Sequence, residues 1–255
     1  NKYLKNDHYI IFLKVLNSLI NSINYLEMRG RDSLGLCIQI KFTKDQLKNV
    51  KNINRRKINI SQYNDYILCT LVLKSSNPIG ILRQNSVEIL NEFFDNTDFI
   101  KLLNLQYLNI ALFFHTRWAS VGKINSNNTH PIADKLKINN NELITFSATN
   151  GDVYNYKEII DKFKKNNHNI NNKCQTDSLA ISLVMGKTLN HKNFKIRNKL
   201  INSLEGSYCS CTISDLNPGS ITLVKNGQQG LYVGNSVDRY YFSSDLYGLV
   251  EESER

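Results

Sequence analysis

The sequence predicts an α+β fold in layers, with sheets covered by helices and a single domain throughout. Two observations lead there. β-prone runs concentrate toward the ends of the 255 residues, with helical patterns between them, and nothing divides the chain. Only three prolines are present, no stretch has the composition of a linker, and no segment repeats. A chain of this length buries a sizeable core without staples. Its 41% hydrophobic and 21% charged residues are ordinary for a globular protein.

The elements follow in order. Ile11, Val15, Leu16, Leu19, Ile23 and Leu26 recur at three- and four-residue steps, which predicts a helix over 9–28 with one apolar stripe. Gly30 follows it, where a left-handed cap costs least. LGLCIQIKF (34–42) reads as a buried strand and YILCTLVL (66–73) as another. Between them lies a basic loop, KNVKNINRRKINI (48–60). A helix is predicted from Val87 to Leu103, with Asn85 and Glu88 at capping-box spacing. The strand LNIALFFHTRWAS (108–120) then ends abruptly in polar residues and gives way to the loop SVGKINSNNTHP (120–131). ELITFSA (142–148) is a strand predicted to stop at the Asn150-Gly151 turn signal. Helices are predicted over 154–166, from Thr176 and Asp177 through 187, and over 192–204 before Gly206. Short strands close the chain: SYCSCTIS, SITLVKN, GLYVG and RYYFSSD.

Composition narrows the functional classes. No apolar run is long enough to span a bilayer, and no signal-peptide pattern opens the chain. The five cysteines (Cys37, Cys69, Cys174, Cys209, Cys211) form no CxxC pair, which predicts reduced thiols and a cytoplasmic protein. None of the five histidines pairs with cysteines at zinc spacing, so neither a metal nor a cofactor is expected. The net charge of +10 points toward nucleic acid, but the excess is diffuse, and 48–60 offers no aromatic ring for base stacking. A solvated basic loop is the preferred reading.

Polar residues with chemical use recur where predicted elements begin or end. Arg117 closes one strand, Asn150-Gly151 another; Asp177 opens a helix, and His130 lies in the loop between. An arginine fork grips a carboxylate, and an aspartate holds an ammonium group. A carboxamide beside a glycine N–H supplies two neutral donors for an oxyanion. Together they would read a free α-amino acid and support acyl transfer at its side-chain amide. Each also has a plainer reading: Arg-Trp as surface packing, Asn-Gly as a hairpin turn, Thr-Asp as a helix cap.

The stretches LEMRGRDSLGL (26–36), HTRWASVG (115–122), NTHP (128–131), TNGDVYNYKE (149–158), TDSLAI (176–181), LEGSY (204–208) and YFSSD (241–245) carry a resemblance. In content and order they resemble the class II glutamine amidotransferase domain of the glucosamine-6-phosphate synthase (glutamine–fructose-6-phosphate aminotransferase) type. Trp118 after His-Thr-Arg resembles the sugar-specific branch, since purine-pathway relatives usually carry tyrosine there.

The resemblance implies an N-terminal-nucleophile hydrolase fold, a four-layer αββα sandwich over 1–255, trimmed at both ends and carrying a long basic insertion around 43–107. It implies that Arg117 binds the glutamine α-carboxylate, that Asp177 binds its α-amino group, and that Asn150 and Gly151 form the oxyanion hole. It implies that Trp118 folds over glutamine and gates ammonia passage, that Ser120 contacts substrate, and that His130 borders the site. The implied substrate is L-glutamine. The implied partner is a sugar-phosphate isomerase-type acceptor domain beyond Arg255, with no membrane and no nucleic acid involved.

The resemblance fails at one main place and two smaller ones. The family's nucleophile is an N-terminal cysteine, and NKYLKNDH (1–8) contains none. No internal cysteine can replace it, because the chemistry uses the terminal amine as base. The expectation is therefore a glutaminase whose cysteine lies upstream of Asn1, the 255 residues being inactive by themselves. The alternative is a catalytically silent glutamine-binding or scaffolding domain. Thr149 also replaces a histidine that commonly precedes Asn-Gly, and Val121 replaces a polar residue of the glutamine loop.

Overall fold

In the computed structural model, the structure describes residues 7–25, 30, 32–51, 53, 57–77, 82–118, 122–138, 141–236 and 239–249. Two four-stranded antiparallel sheets lie face to face. The first has the order β2-β3-β1-β4, from β1 (Ser33–Thr43), β2 (Ile58–Gln62), β3 (Tyr66–Ser76) and β4 (Asn109–Arg117). The second has the order β5-β6-β7-β8, from β5 (Ile132–Ile138), β6 (Asn141–Val153), β7 (Gly206–Ser214) and β8 (Ile221–Asn226). A separate hairpin pairs β9 (Tyr232–Asn235) with β10 (Tyr240–Ser243).

Period-two alternation explains how both faces of the first sheet are buried. On β1, Leu34, Leu36, Ile38, Ile40 and Phe42 face outward to α1 (Asp7–Tyr25), α3 (Leu82–Asp95) and α4 (Thr97–Leu103), where Phe12, Leu16, Phe93 and Phe99 cover them. The alternate residues face the second sheet. There Cys37, Ala111 and Phe113 meet Ile144, Phe146, Ala148, Cys211 and Ile213. The outer face of the second sheet is covered by α5 (Tyr156–Lys165) and α6 (Leu179–Leu189), through Ile159, Phe163, Ile181 and Val184. α7 (Phe194–Ile201) follows α6. The layers thus run helix, sheet, sheet, helix, the αββα sandwich anticipated above. Burying a side chain such as Phe113 or Ile213 contributes about 2 kcal/mol.

Several boundaries differ from the sequence expectation, each for a local reason. The helix predicted over 87–103 is two helices. Asn96 breaks it, and its side chain accepts the Phe99 N–H at 3.0 Å. Asn85, predicted as a cap, is buried inside α3, where its Oδ1 accepts from Ser75 Oγ at 2.7 Å. The end of the basic stretch forms β2, and α2 (Leu47–Lys51) precedes it. The segment 43–107 supplies β2, β3, α3 and α4, and β3 pairs with β1 along its whole length, from Ser33↔Ser76 to Thr43↔Tyr66. β5 was not anticipated, although Ile132, Asp134 and Leu136 alternate with residues of the other face.

The most consequential difference concerns Asn150-Gly151. β6 does not stop there. Asn150 pairs with Cys209 and Gly151 with Tyr208, and the strand continues to Val153. Gly151 adopts φ +101, so the backbone twists locally without leaving the ladder. A Cβ at that position would lie 2.1 Å from the Ser207 carbonyl oxygen, which only glycine avoids.

Candidate functional site

The candidate residues gather at one end of the inter-sheet space. Alternation along β4 puts Ala111, Phe113, His115 and Arg117 on the face toward the second sheet, so the strand ends by delivering a buried guanidinium there. Arg117 pairs across with Ser33, and its carbonyl accepts the Asp32 N–H at 3.1 Å. Burial pulls the Arg117 pKa down, and the nearby charges of Asp177, Cys174 and Asp32 push it back up.

Asp177 comes from the second sheet's side, just ahead of α6. It too is buried. Its Oδ1 accepts from Ser178 N at 2.9 Å and Thr176 Oγ1 at 3.1 Å, and its Oδ2 accepts from Val153 N at 2.8 Å. These bonds hold the carboxylate to the end of β6 and leave Oδ2 room for another donor. The helix therefore begins later than Thr176, at Leu179.

Asn150 and Gly151 are half-buried on β6. They are tied to β4 from one residue upstream, where His115 Nε2 lies 3.0 Å from the Thr149 carbonyl oxygen. His130 is only 2% exposed and packs edge-on against His115, with its Nδ1 2.9 Å from His115 Nδ1 and 3.3 Å from His115 Nε2. The His115 pKa falls to about 4, chiefly through burial, and His130 falls well below its ordinary value for the same reason. Both rings are neutral at pH 7. Trp118, one residue beyond β4, is 61% exposed at the mouth. Ser120 lies outside the described residues.

Four residues to which sequence reasoning assigned no part in the site complete it. Asn128 is fully buried; its Nδ2 donates to the Lys123 carbonyl at 2.9 Å, and its Oδ1 accepts Gln175 N at 2.7 Å. It joins the loop before His130 to the loop before Asp177. Lys74 points from β3 into the same space, and its Nζ donates to the Ser126 carbonyl at 3.3 Å. Burial lowers the Lys74 pKa to about 8. Cys174 sits within electrostatic reach of Lys74, Arg117 and Asp177. His115 enters the site through its tertiary contact with Thr149 on the other sheet. Only Lys74 left a legible signal, a charge inside the apolar run LVLK.

Chemically, a guanidinium and a carboxylate at neighbouring strand ends are complementary to the two charges of an α-amino acid. Donors on the adjoining strand suit an oxyanion forming beside them. Among the described residues, no cluster of three His, Cys, Asp or Glu could hold a metal ion. Among them, too, no helix is long and apolar enough to cross a membrane.

Residues 128–251 match the sequence family described as glutamine amidotransferase domain. The chain resembles a class II glutamine amidotransferase domain. Over nearly its whole length it is similar to glutamine–fructose-6-phosphate aminotransferases (isomerizing). The one from Buchnera aphidicola subsp. Acyrthosiphon pisum is 26% identical over 94% of the domain and 32% of the relative. The one from Francisella tularensis subsp. tularensis is 28% identical over 92% and 31% respectively. The one from Campylobacter jejuni subsp. jejuni is 30% identical over 53% and 21%.

The domain thus spans about a third of the length of the relatives it matches nearly end to end. Among solved structures it resembles the allosteric regulatory enzyme of purine biosynthesis, with a TM-score of 0.53 at 15% identity. It also resembles glutamine phosphoribosylpyrophosphate amidotransferase from B. subtilis, with a TM-score of 0.51 at 16% identity. Each likeness covers 90% of the domain and 39% of the solved chain, and it carries the fold.

Proposed function

We propose that this domain is the glutaminase of a glutamine-dependent amidotransferase, releasing ammonia for an acceptor that is a sugar phosphate, fructose-6-phosphate. One observation carries the reading: buried Arg117 and Asp177 lie within electrostatic reach of each other, beside Asn150-Gly151 on the adjoining sheet. Arg117 grips the α-carboxylate of L-glutamine and Asp177 its α-ammonium. Asn150 and Gly151 donate to the oxyanion formed at the side-chain amide. Trp118 folds over the bound amino acid, Ser120 contacts it, and His130 borders it.

The nucleophile is the thiol of a cysteine at the protein's N-terminus, preceding Asn1. Its α-amine takes the thiol proton, the sulfur adds to the amide carbon, and ammonia leaves as the thioester forms; water then releases glutamate. The five internal cysteines are all buried, and burial raises the pKa of Cys37, Cys174, Cys209 and Cys211, which keeps them as unreactive thiols. An isomerase-type acceptor domain follows in the same polypeptide, and the whole protein works in the cytoplasm. The basic stretch 48–60, between β1 and β3, serves to dock that domain.

The test is glutamate release by the full-length protein, with and without fructose-6-phosphate, beside an Arg117→Ala control. Release that needs Arg117 and rises with the sugar is expected. No release from a folded full-length protein that binds glutamine would leave a silent glutamine-binding domain in its place.

A further inference from the structure

The two buried histidines are not explained by substrate binding alone. His115 Nε2 lies 3.0 Å from a carbonyl oxygen, an atom that only accepts, so Nε2 carries the proton. A neutral His115 then presents a lone pair at Nδ1. His130 Nδ1 sits 2.9 Å from that nitrogen and 3.3 Å from Nε2; with the Nε2 proton committed to Thr149, His130 Nδ1 donates to His115 Nδ1. The proton count leaves His130 Nε2 bare. That atom is buried and has no hydrogen-bond partner among the described residues, which suits an unprotonated nitrogen, because an orphaned acceptor is tolerated better than an orphaned donor. Arg117 opposes a positive charge on either ring, and Lys74 opposes one on His130 as well.

The chain of contacts ends on the peptide that joins Thr149 to Asn150. We propose that His130 and His115 form a positioning relay which pins the Thr149 carbonyl and so fixes the orientation of the Asn150-Gly151 donors. The backbone around those donors has an independent need for restraint. Gly151 holds φ +101, and Asn150 follows a peptide that turns its carbonyl toward the other sheet. Register within β6 and β7 fixes the strand's position, while the imidazole fixes the tilt of this one peptide plane. Gly35 makes the relay possible from below: a Cβ there would lie 1.7 Å from the His130 carbonyl oxygen, so only glycine lets the His130 loop approach His115 this closely.

The catalytic consequence rests on the glutaminase reading; the relay itself does not. The test uses full-length protein. A glutamine side chain at 115 brings its amide nitrogen to the Nε2 position and keeps the bond to Thr149. An asparagine reaches only the Nδ1 position and loses it. His115→Gln is therefore expected to keep kcat within about fivefold. His115→Asn is expected to lower it by about 30-fold with KM for glutamine changed less than twofold, in line with the 10²–10³ cost of deleting an oxyanion donor outright.

Nitrogen NMR of histidine-labelled protein should find His115 protonated at Nε2 and His130 at Nδ1. Backbone amide resonances of Asn150 and Gly151 should move in His115→Asn and stay in His115→Gln. Equal kcat in the two variants, or the opposite tautomers, overturns the relay. If wild-type protein releases no glutamate, the functional reading has failed. The tautomers and the two amide resonances then decide the relay unaided.

Discussion

Gly35 on β1 and His130 ahead of β5 share one small volume between the sheets, with the His130 carbonyl where a side chain at 35 would have to be. The obstacle is backbone rather than a flexible side chain. Gly35→Ala should therefore cost about 3 kcal/mol, the upper range for overpacking, and lower the melting temperature by roughly 6–12 °C for a domain of this size. Differential scanning calorimetry reads this directly; an unchanged melting temperature would mean the His130 loop yields freely.

Asn128 ties two loops that approach the site from different parts of the chain. Asn128→Ala removes the acceptor of Gln175 N and a donor to Lys123 in a fully buried position, a loss of about 2 kcal/mol. The loop it releases carries Asp177. Weaker glutamine binding should exceed any loss of kcat, and titration calorimetry with L-glutamine measures it. Affinity within twofold of wild type would detach Asn128 from the site.

Asp215 does comparable work at the opposite end of the sandwich. Its Oδ2 accepts from Ile144 N at 3.1 Å and from Ser61 Oγ at 2.9 Å, and Gln39 Nε2 approaches Oδ1 at 3.5 Å, so one carboxylate joins β6, β2 and β1. Asp215→Ala strands these donors and should cost about 3 kcal/mol in urea unfolding, with glutamine affinity unaltered. Burial raises the Asp215 pKa, so this group favours the folded state most at low pH and less as pH rises through its folded value. Asp215→Asn, uncharged, should lose less than the alanine variant at neutral pH.

The two neutral imidazoles predict a stability loss in mild acid. Folded His115 titrates near 4 against 6.5 when unfolded, and His130 is depressed in the same direction. A depressed folded pKa means the unfolded chain takes protons first. The stabilisation is complete above 6.5 and falls as pH drops toward 4, by about 3 kcal/mol for His115 alone. Replacing both rings, His115→Gln with His130→Asn, should flatten unfolding free energy across that window. A slope as steep as wild type's would assign the effect elsewhere.

Trp118 offers a contrast, because its exposed ring contributes little to folding. Trp118→Ala should change stability by less than about 0.5 kcal/mol. Under the proposed function it should uncouple the reaction: glutamate release persists while amination of fructose-6-phosphate drops. Parallel assays of both products separate this from a simple loss of activity.

Much of this protein was legible from its residues in order. The apolar stripe of α1, the continuous run of β1 and the tail of short strands announce their own geometry, because helix and strand periods are local properties of the chain. Arg117, Asp177 and Asn150-Gly151 were visible too, as polar residues where apolar patterns end. The tertiary structure decided what those patterns could not. Asn150-Gly151 has the local signature of a turn, yet pairing with Cys209 and Tyr208 keeps it in the strand. Asn85 has the signature of a cap, yet Ser75 claims it inside α3. His115, His130, Lys74 and Asn128 acquire their roles only through partners 15 to 52 residues away. Periodicity reports which way a side chain faces. What waits for it there depends on how two sheets close over one another, and no local stretch of sequence contains that.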